Sequence, residues 1–151
     1  ILNPKIIVQA IVEERKKIKL NTTFQLKKII LKIVGEYKSN KVLSKIFQAI
    51  RIEVNKELEC LDFFLKHFIN HLKKEGRIVI ISYHSLEDRL VKQCFKKYQK
   101  GCICPNDFPK CMCNIKPSLK LINSKVIIPN KDEVNKNSRS KSAKLRVAEK
   151  L

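Results

Sequence analysis

Apolar positions recur at helical spacing through the first half of the chain, then give way near its middle to a short strand-like run. Ile7, Ala10, Ile11 and Ile18 share one helix face running to about Lys19. Asn3 and Pro4 provide a cap and a first-turn proline for its start. Thr22 and Gln25 have capping-box spacing for a second helix, with the stripe Leu26, Ile29, Ile30 and Ile33 and a stop at Gly35. A longer helical pattern covers Lys41 to Lys74. Its first stripe is Val42, Ile46, Phe47, Ile50 and Val54, its second Leu58, Leu61, Leu65, Phe68, Ile69 and Leu72, with a break expected near Asn55.

Gly76 ends that pattern, and Ile78 to Ile81 follow as a continuous β-branched run. Its composition predicts a strand buried on both faces, as in a parallel sheet. The chain then turns abruptly polar: Ser82, His84, Ser85, Glu87, Asp88, Arg89. Ser85 and Asp88 fit the N-cap and N3 positions of a next helix burying Leu90, Val91, Cys94, Phe95 and Tyr98. Residues 100 to 117 read as a loop with three prolines. Leu119 to Ile122 and Val126 to Ile128 suit strand or edge segments, Asn130 and Glu133 cap a short helix, and Ala143 to Ala148 suits a last strand. This order resembles the second half of a doubly wound α/β sheet, in which a parallel strand needs neighbours on its edges. Open α/β sheets bind ligands beyond the carboxyl ends of their strands, so the polar run from Ser82 occupies a functional position. There is no internal repeat and no glycine-rich phosphate loop.

Charge changes the picture next. The 151 residues suffice for one domain with a core, and they carry 33 basic against 14 acidic side chains, a formal +19. That surplus points to a polyanionic partner, most simply RNA or DNA. A compositional bias is the alternative, since Lys accounts for 27 of the basic residues, Ile occurs 20 times and Asn 11 times. No apolar stretch approaches the roughly 20 residues of a membrane span. No signal-peptide pattern opens the chain, which begins at Ile1 and is expected to be part of a longer protein. The expected setting is cytoplasmic, with reduced thiols.

Four constellations can carry chemistry. His84, Glu87, Asp88 and Arg89 form a candidate active-site lining; the alternative is helix capping with an ion pair to Arg89 or Lys92. Gln48, Arg51 and Asn55 share a helix face, where Arg51 offers a fork for phosphate or carboxylate, or the stripe is simply solvated. Cys102, Cys104, Cys111 and Cys113 could hold zinc tetrahedrally, although paired Cys-x-Cys spacing is less specific than Cys-x-x-Cys; unmetallated thiols and a redox role stay open. Asn137 to Ser142, with Arg139, Ser140, Lys144 and Arg146, mixes hydroxyls and cations as phosphate contact requires. Cys60 and Cys94 are expected as packing residues. His67, His71 and Glu75 have metal-ligand spacing, but Phe68 stands where a metalloprotease needs Glu, so a solvated face is expected.

Three stretches together carry a family resemblance: Phe47-Gln-Ala-Ile-Arg-Ile-Glu-Val-Asn55, Gly76 through His84-Ser-Leu-Glu-Asp-Arg89 to Lys92, and Arg139-Ser-Lys-Ser-Ala-Lys-Leu-Arg-Val-Ala-Glu-Lys150. With Ala10 to Arg15 and Thr22-Thr23, the chain resembles the bacterial small-subunit ribosomal RNA cytosine-N4 methyltransferases. The resemblance implies an α/β class I (Rossmann-like) methyltransferase domain with a helical insertion. Residues 1–44 would end the insertion and 45–151 would be the returning C-terminal half. It implies S-adenosyl-L-methionine as cofactor and a cytidine of 16S ribosomal RNA, free or in the small subunit, as substrate. The family's cofactor site lies mainly in its first half, so no cofactor-binding residue is assigned here and the chain alone is expected to be inactive. His84 and Ser85 would line the base pocket, with Glu87 or Asp88 as acceptor or organiser. Arg51, Asn55, Arg89, Arg139, Ser140 and Arg146 would meet RNA or brace the cleft. Many members of that family lack the four-cysteine loop, which argues against a catalytic role. A homodimer is left open. The competing readings are a non-catalytic RNA-binding module with a zinc-stabilised loop, and a metal-dependent hydrolase built on His84, Glu87 and Asp88.

Overall fold

Local capping chemistry sets the helical boundaries. In a computed structural model, which describes residues 3–37, 39–102, 104 and 112–151, Asn3 Oδ1 accepts the Lys5 N–H at 3.1 Å and starts α1 (Pro4–Lys17). Ile18 is its extended C-cap rather than a helical residue. Thr22 and Gln25 make the expected capping box for α2 (Thr23–Val34), and Gly35, at φ 70°, ends it. The long helical pattern divides into α3 (Ser39–Val54) and α4 (Glu57–His71). The break falls at Asn55 and Lys56, and Lys56 takes the left-handed conformation, φ 51°.

The chain forms two compact units, Ile1–Glu57 and Leu58–Leu151. The first is held by Ile7, Ile30 and Leu43, with Ile11, Leu26, Ile33, Ile46 and Phe47 packed around them. Val54, the last position of the expected stripe, is exposed.

The second unit contains the sheet. Its elements are β1 (Arg77–Ser82), α5 (Ser85–Lys100), β2 (Leu119–Leu121), α6 (Lys131–Lys136), a 3-10 turn (Ser138–Ser142) and β3 (Lys144–Lys150). The strand order is β1-β3-β2, and β3 runs antiparallel to both neighbours. β1 pairs from Arg77↔Glu149 to Ser82↔Lys144. The first unit's helices and this sheet together make a mixed α/β chain.

The side chains of α4, α5 and the sheet meet in one core: Leu65, Phe68, Ile78, Val91, Phe95, Leu119 and Ala148. Phe95 and Val91 are almost fully enclosed; each such side chain contributes about 1.5–3 kcal/mol by leaving water. Phe68 meets the edge of Tyr98 at 5.7 Å.

Several expectations need correction. β1 is covered on one face only: Ile78 and Ser82 are buried, whereas Val79 and Ile81 are exposed. Its one neighbour among the described strands is antiparallel, not parallel. The helical cover belongs to the face carrying Ile78, Leu119 and Ala148, so the alternate positions of β1 remain open. Val126 to Ile128 is not a strand but a single bridge, Ile127↔Leu145. The last strand starts one residue later than expected and extends to Lys150. Cys60 is exposed rather than packed. Asn130 does cap a helix, accepting the Glu133 N–H at 2.8 Å.

Candidate active site

The carboxyl end of β1 is where the polar residues gather. Ser82 is the last strand residue, and its hydroxyl points toward the Lys144 carbonyl at 3.4 Å. Three residues later α5 begins. His84, not Ser85, is its N-cap, and Glu87, not Asp88, is N3. Ser is ordinarily the better cap, but here the imidazole does the work: Nδ1 accepts the Glu87 N–H at 3.3 Å. Glu87 Oε2 accepts the N–H groups of Tyr83 at 2.8 Å and His84 at 3.2 Å. That pattern places the neutral ring's proton on Nε2. Nε2 lies 3.4 Å from Glu87 Oε1, off the line of a hydrogen bond. The carboxylate also sits at the positive end of the helix.

Asp88 faces inward. It lies three and seven residues before Val91 and Phe95, so it shares their buried helix face. Arg146 Nε meets Oδ1 at 2.7 Å, Arg146 Nη2 meets Oδ2 at 3.3 Å, and Lys144 Nζ meets Oδ2 at 3.3 Å. The Arg146 hydrogen bonds hold the carboxyl below its usual range; burial opposes them and Lys144 adds to them. The ion pair expected with Arg89 or Lys92 is therefore made with β3 instead. Strand alternation was the available signal: Lys144 and Arg146 share the β3 face of buried Ala148.

Ser85 and Arg89 are exposed at the start of α5. The 3-10 turn leads into β3 beside Ser82, which brings Arg139 to the same end of the sheet with its side chain exposed. Ser140 is buried, and its hydroxyl donates to the Asn137 carbonyl at 2.8 Å. Arg146 is mostly covered and engaged by Asp88. Of the β3-side residues predicted to meet RNA, Arg139 is thus the one presented to solvent, while Ser140 and Arg146 support the fold.

Arg51 and Asn55 belong to the first unit. Both hold Glu57: Arg51 by two bonds of 2.8 and 3.1 Å, Asn55 by one of 3.2 Å. Glu57 was not anticipated, because the break between α3 and α4 lies between the partners. The same unit contains an open groove of about 850 Å³ lined by Val8, Ile11, Leu26, Phe47 and Ile50, with Arg15, Lys16 and Lys19 also lining it.

In the second unit, His67 Nδ1–H donates to the Phe63 carbonyl at 2.7 Å, and with His71 it borders an apolar recess beside Phe63, Phe64 and Phe68. Burial pushes the Cys94 thiol up to about 11 and raises the Tyr98 hydroxyl as well. Cys102, Cys104 and Cys113 come together, their sulfur atoms all within 4.8 Å of one another. Cys111 lies outside the described residues. No helix among the described residues is long and apolar enough to cross a membrane.

Comparison with known proteins places these features in a context. The family model described as the MraW methylase family matches residues 3–151. The ribosomal RNA small subunit methyltransferase H of Dehalococcoides mccartyi is 50% identical over 146 residues, covering 96% of this chain and 41% of that protein. The protein of the same name from Finegoldia magna is 48% identical over 151 residues, covering 97% and 48%. That from Carboxydothermus hydrogenoformans is 47% identical over 147 residues, covering 96% and 47%. The chain thus spans less than half the length of these curated relatives.

Proposed function

The chain belongs to the MraW methylase family, and from that premise we propose that it is the second half of an enzyme methylating the N4 amino group of a cytidine in 16S ribosomal RNA. One observation carries the reading: the end of β1, the start of α5 and the start of β3 bring His84, Ser85, Glu87, Asp88, Arg139 and Arg146 to one end of the sheet. The names of the relatives supply the substrate class, the small-subunit ribosomal RNA. The RNA, or the small subunit holding it, meets the protein in the cytoplasm.

The sheet supports a class I methyltransferase domain. Its last strand is inserted antiparallel between β1 and β2, and among the described residues the other edge of β1 is unpaired and its Val79 and Ile81 face is exposed, which suits further strands and helices. On this reading residues 1–44 are the end of the insertion and residues 45–151 the returning half of the methyltransferase domain.

The methyl donor is S-adenosylmethionine, and this chain alone does not fit it. Its three glycines follow α2, precede β1 and follow α5, so none lies on a glycine-rich turn from strand into helix. The donor supplies an activated sulfonium methyl, and its pocket belongs to the rest of the protein.

This chain's residues handle the base. The cytosine amino nitrogen is a weak nucleophile because its lone pair is delocalised into the ring, so orientation and proton removal are what the protein must provide. His84 and Ser85 line the pocket of the unstacked base. The Nε2–H of His84, enclosed and without a hydrogen-bond partner among the described residues, is the donor left for a ring acceptor of cytosine. Glu87 is the acceptor for an amino hydrogen. Asp88, with both oxygens taken by Arg146 and Lys144, organises the floor of the site. Arg89 and Arg139 are exposed for phosphates, and Arg51 and Asn55 for RNA at the first unit.

The test is nucleoside analysis of small-subunit RNA after reaction with the full-length protein and S-adenosylmethionine. N4-methylcytidine is the expected product. A ring-carbon methylcytidine, or no methylation, contradicts the reading. In parallel, calorimetry should detect donor binding to the full-length protein and none to residues 1–151 alone.

A further inference from the structure

We propose that Cys102, Cys104 and Cys113 bind a structural zinc ion, a site separate from the polar end of β1. The argument begins with distance. Cys102 and Cys113 Sγ are 3.6 Å apart, and all three sulfur atoms lie within 4.8 Å of one another. Thiolates on a tetrahedral zinc, each about 2.3 Å from the metal, are separated by roughly 3.8 Å. The cluster is already close to that spacing. It is much wider than a disulfide, about 2.05 Å.

The backbone around the sulfurs orients them. The Cys104 N–H donates to Cys102 Sγ at 3.4 Å, and the Met112 N–H donates to Cys104 Sγ at 3.4 Å. Hydrogen bonds of this kind fix the direction in which a ligand sulfur points. On metal binding each thiol releases its proton to solvent. The soft, all-sulfur donor set selects zinc among redox-inert ions.

Among the described residues of the loop, no apolar side chain joins the buried core. Met112 and Ile115 are exposed, and neither contributes to the buried cluster of the second unit. Its two ends are nevertheless fixed together. Gly101, at φ +67°, lies so close to Lys116 and Pro117 that a Cβ there would stand 2.5 Å from the Lys116 carbonyl carbon. The Ser118 N–H donates to the Tyr98 carbonyl at 3.0 Å, tying the end of α5 to the start of β2. A metal ion held by the three sulfurs would cross-link the segment at Cys102 and Cys104 to Cys113. Three thiolates leave one tetrahedral position for a further donor; Cys111 lies outside the described residues, and the three sulfurs named here define the site.

The experiment is metal analysis of the full chain, purified under reducing conditions after growth with added zinc. About one zinc per chain is expected. Cys102→Ser and Cys113→Ser should each reduce retention at least tenfold, whereas Cys60→Ser, outside the cluster, should not. Because a loop variant could lose its fold, the chelator-stripped parent is also titrated with cobalt. The expected signature is a thiolate-to-cobalt charge-transfer band with the visible bands of tetrahedral cobalt. Retention of iron in place of zinc, absence of both metal and cobalt bands, or a parent mass two hydrogens lighter from a disulfide would overturn the site. None of these outcomes bears on methylation, so the two readings fail independently.

Discussion

Asp88 occupies a helix position that a hydrophobic residue would ordinarily fill, and it is tolerated there because Arg146 and Lys144 reach it from β3. Removing its charge strands a mostly covered Arg146. Asp88→Asn should therefore cost about 2 kcal/mol at neutral pH, less than the ~3–5 of a fully enclosed pair because Lys144 is partly in water. The pH dependence has a defined sign. The folded-state pKa lies below the ordinary 3.8. The stabilisation is therefore complete above that value and is lost as pH falls through the ordinary value to the lowered one. Denaturant melts from pH 6 down to the acid limit should show this loss in the parent and not in Asp88→Asn. Sequence spacing does not disclose such a pair, because 58 residues separate Asp88 from Arg146. Caps are different. Asn3, Thr22 with Gln25, and Asn130 act on residues two or three positions away and were legible. The cap of α5 was displaced by one residue, since propensity favours Ser85 and nothing local reveals that the His84 imidazole takes its place.

At the scale of elements, β1 poses the sharpest question. Its sequence has no alternation, as expected of a strand covered on both sides, yet Val79 and Ile81 face outward. Hydrophobic pattern reports what a strand requires, and here one of its two faces has no cover among the described residues. The methyltransferase reading assigns that face to the rest of the protein. Val79→Thr with Ile81→Thr should then change the melting of residues 1–151 by no more than about 0.5 kcal/mol per site. In the full-length protein the pair should destabilise by about 2 kcal/mol or more. Equal effects in both would remove the second layer. The break between α3 and α4 was legible at Asn55, while the one-residue bridge at Ile127 was not, because three apolar residues in a row read alike in a strand and in a loop that touches one.

Over the whole molecule, the excess of basic residues is a statement about partners, and the structure divides those residues by role. Arg146 is committed to Asp88, and Lys150 donates to the carbonyls of Ile69 and Leu72 at the end of α4 at 2.9 and 2.7 Å. Arg139 is exposed. In the full-length protein, Arg139→Ala should weaken RNA binding and lower the steepness of its salt dependence by about one ion, with melting unchanged. Arg146→Ala should instead lower the melting temperature. Composition alone could not make that division, because it counts a bracing cation and a free one alike.

The most direct test of the strand-end site is single-turnover methylation by the full-length protein carrying His84→Asn. Asparagine preserves the N-cap, so α5 and the melting temperature should be retained, and the loss of the ring isolates its part in holding the base. The account predicts a fall in the methylation rate of roughly a hundredfold, with RNA affinity nearly unchanged. A rate equal to the parent's would contradict it.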